Sequence, residues 1–156
     1  MKAILLSLAL APLMVGCGEP ESEFERTKSG ESEFEKTKRL AEGGDELAQY
    51  NLGTMYDYGY GVPLDYKEAV YWYRKSAEQG FAGAQSNLAL MYVNGHGVFE
   101  DWVHAYAWFN VAIATGGSLQ DAKKLRDELE LTPEQVAKAQ ALSTEIQKRI
   151  EANKKD

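Results

Sequence analysis

The 156-residue chain holds one cysteine, Cys17, two histidines and four prolines. A single thiol excludes an internal disulfide, a dithiol redox pair and any cysteine-rich zinc centre. Neither His96 nor His104 stands at a spacing that suits zinc ligands, so no metal and no cofactor is expected. Basic residues are in deficit, 17 against 24 acidic ones, for a net charge of −7. That balance argues against nucleic acid as a partner, and an anionic lipid surface would repel the chain. The Ser-x-x-Lys motif of β-lactamases is absent, and no nucleophile or acid–base pair is spaced for chemistry, so no catalytic residue is named and no enzyme is expected. Long apolar runs are missing after residue 16.

What is present is one sequence written twice. Residues 45–80 align over 81–116 without a gap, at a period of 36, and 13 positions are identical. Among them are Ala48/Ala84, Gln49/Gln85, Asn51/Asn87, Leu52/Leu88, Met55/Met91, Gly59/Gly95, Gly61/Gly97, Asp65/Asp101, Trp72/Trp108 and Gly80/Gly116. A fixed period of this size signals a repeat architecture. Ala48, Leu52, Met55 and Tyr56 share one face of an amphipathic helix, and Ala84, Leu88, Met91 and Tyr92 copy it. Paired glycines then suit a sharp reversal, Asp65 and Asp101 stand as N-caps, and Gly80 and Gly116 as C-cap candidates. The second helix carries Ala69, Trp72, Tyr73 and Ala77, then Ala105, Trp108, Phe109 and Ala112, small residues that let neighbours approach. Asn51 and Asn87 are poor helix formers and are read as bonding to loop backbone.

The run Ala48-Gln49-Tyr50-Asn51-Leu52-Gly53, with Met55-Tyr56, Gly59-x-Gly61-Val62-Pro63 and Ala69–Gly80, resembles the Sel-one-like repeat family, a branch of the tetratricopeptide-type solenoids. The likeness spans about 32–130, with Ala89 and Phe99 in place of the usual glycine and proline. It implies an all-α helix-loop-helix solenoid of two full 36-residue repeats with capping helices, and protein–protein scaffolding without chemistry. Cysteine-rich relatives have been described as penicillin-binding, but this chain lacks their paired cysteines, and that activity is not carried over.

The ends are read from composition and register. Residues 1–16 form a signal peptide, with Lys2 before an apolar stretch too short to span a membrane comfortably. Leu13-Met14-Val15-Gly16-Cys17 resembles the lipobox of bacterial lipoproteins, which implies lipid attachment at Cys17; the alternative is a secreted protein cut elsewhere. Gly18 rather than aspartate follows, and by resemblance to Gram-negative sorting this implies the outer membrane facing the periplasm. Residues 17–30 read as a flexible tether, in which Glu21–Lys28 recurs as Glu31–Lys38. The repeat domain spans 31–152, with Ser32–Glu42 as the second helix of an incomplete leading repeat. After Gly117 the register slips by a residue or two. Ser118 can cap a helix striped by Ala122, Leu125 and Leu129, and Thr132-Pro133-Glu134-Gln135 starts a last one striped by Val136, Ala139, Leu142, Ile146 and Ile150.

A binding face is expected where the first helices of the two repeats differ. Tyr50, Thr54, Asp57 and Tyr58 in one, and Ser86, Leu90, Val93 and Asn94 in the other, are the partner-binding candidates on the concave surface. Tyr60 and Tyr66 add aromatic area near the loop. The alternative for Tyr50 and Leu90 is packing between helices. His96 takes the place of Tyr60 and reads as loop decoration. The expected function is a membrane-anchored scaffold or adaptor of the envelope that binds an unidentified protein or peptide. Two alternatives are a cell-wall or antibiotic-substrate enzyme or binder, and an immunity-type inhibitor of a single partner.

Overall fold

The computed structural model describes residues 30–117 and 119–154, apart from the side chains of 119 and 120. The signal peptide, Cys17, most of the tether and the Ser118 cap lie outside the described residues. Among the described residues there are seven helices: α1 (Glu33–Glu42), α2 (Glu46–Tyr58), α3 (Tyr66–Glu78), α4 (Ala82–Asn94), α5 (Trp102–Thr115), α6 (Leu119–Asp127) and α7 (Pro133–Asn153). The chain folds as an all-α helical solenoid.

The two repeats are the hairpins α2–α3 and α4–α5, and the repeated residues build matching joints. Gly59 and Gly95 end α2 and α4 in the left-handed region, at φ +70° and +65°. The Asp65 N–H then bonds to the Tyr56 carbonyl at 2.9 Å, and the Asp101 N–H to the Tyr92 carbonyl at 3.0 Å. Each aspartate starts the next helix, Asp65 Oδ1 accepting from Lys67 and Glu68 N–H and Asp101 Oδ1 from His104 N–H. These side-chain oxygens satisfy donors that a helix start leaves open.

Glutamine supplies a joint between repeats. Gln85 Nε2 donates to the Ala77 carbonyl at 3.1 Å, and Gln49 Nε2 to the Ala41 carbonyl at the same distance. The end of α1 is thus held as the end of α3 is, and α1 packs on α2 as α3 packs on α4. This matches the second helix of an incomplete leading repeat.

The core follows the shared positions. Trp72 joins Ala41, Ala48 and Leu52 in a cluster beneath Phe34, Met55 and Tyr56. Trp108 lies in the larger cluster with Tyr73, Leu88, Phe109 and Val111. Ala69, Ala77, Ala84, Ala105 and Ala112 are fully buried, which lets the helix backbones close in. α7 begins with the expected capping box, Gln135 N–H bonding to Thr132 Oγ1 and Gln135 Oε1 accepting from Thr132 N–H. Its Ala139, Ile146 and Ile150 are buried, and the helix packs on α5 and touches α3.

The asparagines depart from expectation. Asn51 is exposed rather than tied to a loop, and Asn87 lies by the Tyr73 hydroxyl, where it lines the ground between the repeats.

Candidate functional site

Tyr73 organises the ground between α2 and α4. Its ring is fully buried against Gly53, where a Cβ would come within 2.7 Å of the ring. Glycine therefore lets α2 lie directly on the aromatic face. One repeat later the pair is Phe109 and Ala89, both fully buried. The Tyr73 hydroxyl reaches out to Asp57, donating to Oδ2 at 3.1 Å, with Thr54 Oγ1 3.3 Å away. Burial pushes the Tyr73 phenol far above its ordinary value, so it stays a donor. Burial also lifts the Asp57 carboxyl, and the Tyr73 hydrogen bond and the His96 imidazole offset only part of that rise.

Beyond Asp57 a groove of about 360 Å³ opens, large enough for a few side chains of a ligand. Asp57, Tyr58, Leu64 and Tyr66 of the first repeat line it together with Asn87, Leu90, Met91, Asn94 and His96 of the second. His96 stacks on Tyr66, with ring centroids 4.3 Å apart and planes 15° from parallel. Tyr58 stacks on Tyr60 at the rim, both exposed.

A second groove, of about 410 Å³, lies between α4, the start of α5 and the end of α6. Leu90, Val93, Phe109, Leu125 and Leu129 supply its apolar surface; Trp102, Glu100, Glu128 and Glu130 stand with them. The two grooves are the same inter-repeat feature, one repeat apart. Tyr66, Leu64 and Asp57 of the first answer to Trp102, Glu100 and Val93 of the second, each 36 residues on. Across the groove, Asn87, Leu90 and Met91 answer to Leu125, Glu128 and Leu129, at 38 residues. Buried Ala84 and Ala122 are also 38 apart, so the expected register slip at α6 is two residues. Leu90 lines both grooves, which makes them neighbours along one track.

The predicted contact residues divide. Asp57, Tyr58, Leu90 and Asn94 come together in the first groove, and Val93 lines the second. Tyr50 instead packs inward, its ring 5.0 Å from Phe81 and 5.9 Å from Tyr73. Thr54 is occupied by the Tyr50 carbonyl and Tyr73, and Ser86 is half-buried outside both lining sets. His96, read as loop decoration, stands on a groove wall. Sequence reasoning missed Leu64, Glu100, Trp102, Glu128 and Glu130. Comparing the residues after each glycine loop, Leu64 with Glu100 and Tyr66 with Trp102, would have found three of them. Among the described residues no His, Cys, Asp and Glu group could hold a metal ion, and no helix is long and apolar enough to cross a membrane.

The Sel1 repeat family matches residues 46–81 and 82–116, which are the two hairpins. The chain carries two Sel1 repeats. The fold is similar to a crystal structure of a protective antigen from uropathogenic Escherichia coli strains that displays an SLR fold. There the TM-score is 0.71 and the identity 34%, over 75% of this chain and 25% of that one. A Sel1 repeat protein from Oxalobacter formigenes gives a TM-score of 0.53 at 41% identity, over 57% of this chain and 26% of the other. A putative sel1-like repeat-containing protein of Acanthamoeba polyphaga mimivirus is 44% identical over 45 residues, 29% of this chain and 8% of the viral protein. The chain thus spans about a quarter or less of the length of these relatives. Sel1 repeats generally mediate protein–protein interaction, on a scaffold that is generally not enzymatic.

Proposed function

We propose that this Sel1-like repeat chain is a non-catalytic adaptor that takes an extended segment of a partner protein along its two adjoining grooves. The observation that carries this reading is the shared wall at Leu90, which lets one peptide lie across both depressions. Exposed aromatics border the track, Tyr58 at 60% exposure and Trp102 at 39%, and such residues supply contact area at little entropic cost. Each groove is small, so affinity for any one segment is in the micromolar range. Lipidation at Cys17 holds the module on the periplasmic face of the outer membrane of a Gram-negative bacterium, and the tether gives the repeats reach. The partner is accordingly an envelope protein.

The test is a crosslinking pull-down from native membranes with the full chain, beside Cys17→Ser and the groove variant Tyr58→Ala/Leu64→Ala. An envelope protein that the wild-type chain recovers and both variants lose supports an anchored adaptor. Recovery undiminished by the groove variant rejects the grooves as the contact surface. Equal recovery with Cys17→Ser makes the anchor irrelevant to the pairing.

A further inference from the structure

The two grooves hold matching places in successive repeats and differ in charge: the first has one carboxylate, Asp57, tied to the Tyr73 hydroxyl. Leu64 and Leu90, which flank the first, are replaced in the second by Glu100 and Glu128, and Glu130 adds a third carboxylate. Cations near these glutamates are few and mostly engaged elsewhere. Arg126 bonds to Asp127 at 2.6 Å and to Asn110 at 3.0 Å, and lies over the Tyr106 ring. Lys124 meets Glu128 only at 3.9 Å, between two exposed side chains. No cation of the described residues pairs with Glu100 or Glu130. Trp102 lines the same groove as these carboxylates and the leucines, with its side chain partly exposed.

We infer that the second groove selects a lysine or arginine side chain carried by an otherwise apolar, extended partner segment. The inference rests on the reading of the grooves as a peptide track. A long basic side chain fits both halves of the surface. Its methylene stem lies along Leu125, Leu129 and the Trp102 ring, while its charged head reaches the carboxylates. The first groove, with leucines at the matching positions, takes the apolar neighbour of that residue. Charge complementarity therefore sets direction and register along the track, and it excludes segments that would place an acidic side chain beside Glu100.

The experiment uses the full chain and a short fluorescein-labelled peptide of alternating leucine and serine with a central lysine. Two counterparts carry norleucine or glutamate at the centre. Binding is read by anisotropy and by the emission of Trp102, the one exposed tryptophan, since Trp72 and Trp108 are buried. The lysine peptide is expected to bind about tenfold tighter than the norleucine peptide at low salt, with most of that advantage lost at about 0.5 M salt. The double variant Glu100→Gln/Glu130→Gln should bring the two peptides to parity. Glu145→Gln/Glu151→Gln, on the exposed side of α7, removes equal charge and should leave the preference intact. If the lysine and norleucine peptides bind the wild-type chain equally, the charge inference fails and the peptide track stands. If none of the peptides binds, the track itself fails and takes the inference with it. A control variant that lowers the preference as much as the groove variant would show general attraction to an acidic protein and overturn selection by the groove.

Discussion

Gly97→Ala should damage this protein far more than an equivalent change at another left-handed glycine. Gly97 lies in the loop after α4, at φ +71°, and its backbone rests on the first turn of α3. A Cβ there would fall inside contact distance of the Tyr66 carbonyl and 2.9 Å from the Lys67 nitrogen. Both obstacles are backbone, so no side chain can swing aside; the loop or the helix must move. Two costs add. Holding an L-residue at positive φ costs about 1 kcal/mol, and forcing a methyl into closed packing costs about 1–3 kcal/mol. Gly116→Ala isolates the first cost, since Gly116 has φ +92° and nothing within 4 Å of its Cβ direction.

Thermal and urea unfolding of the full chain would measure both variants. For a domain of this size, 1 kcal/mol moves the melting temperature by about 4 °C. Gly116→Ala should therefore lose a few degrees and Gly97→Ala about two to four times as much. Because Tyr66 and His96 flank Gly97 and stack in the first groove, Gly97→Ala should also weaken peptide binding at temperatures where it remains folded. Equal melting temperatures for the two variants would refute the close approach of loop and helix.

Three further expectations concern the core, the joints and the groove carboxylate. Trp72→Ala and Trp108→Ala should each cost about 3–5 kcal/mol, whereas part-exposed Trp102→Ala should cost less; wild-type melting of either buried variant would remove it from the core. Gln79 Nε2 donates to Gln49 Oε1 at 2.8 Å and to the Gly44 carbonyl at 2.9 Å, so Gln79→Ala should cost about 1–3 kcal/mol. At the matching place Thr115 bonds to Val111, and buried Gln85 Oε1 has no donor among the described residues, so Thr115→Gln should raise the melting temperature; a fall would contradict the joint. Asp57 has a raised carboxyl, so its ionised form costs stability at neutral pH, and that cost disappears as pH falls through the folded-state value and then the unfolded one. Asp57→Asn should stabilise the protein at pH 7 and make no difference in acid; a penalty at pH 7 would reverse the sign of the argument.

The repeat was legible because the positions that hold the scaffold are the ones that stay the same. Paired glycines, capping aspartates, tryptophans and small residues each answer a local demand, and a local demand can be read from spacing. Gln49 and Gln85 were visible as identities, but their role was not. A side chain that reaches the preceding helix's end reflects contact across about eight residues of turn and helix, which no periodicity encodes.

The proposed contact surface was only half legible, and Tyr50 shows why. Helical spacing groups it correctly with Thr54 and Asp57, but whether that stripe faces solvent depends on what the next repeat sets against it. Asp45 caps α2, its Oδ1 accepting from the Ala48 N–H at 2.6 Å. Phe81, at the same place one repeat later, makes no side-chain cap hydrogen bond and lays its ring on Tyr50. One substitution thus trades a cap for packing and takes a tyrosine out of the proposed contact face. The second groove depends in the same way on the two-residue slip at α6, which sets Glu128 where the first groove has Leu90. Residues that repeat hold the solenoid together, and residues that break the repeat decide what each groove can hold. The charge that distinguishes the grooves is therefore found only after the helices have been placed side by side.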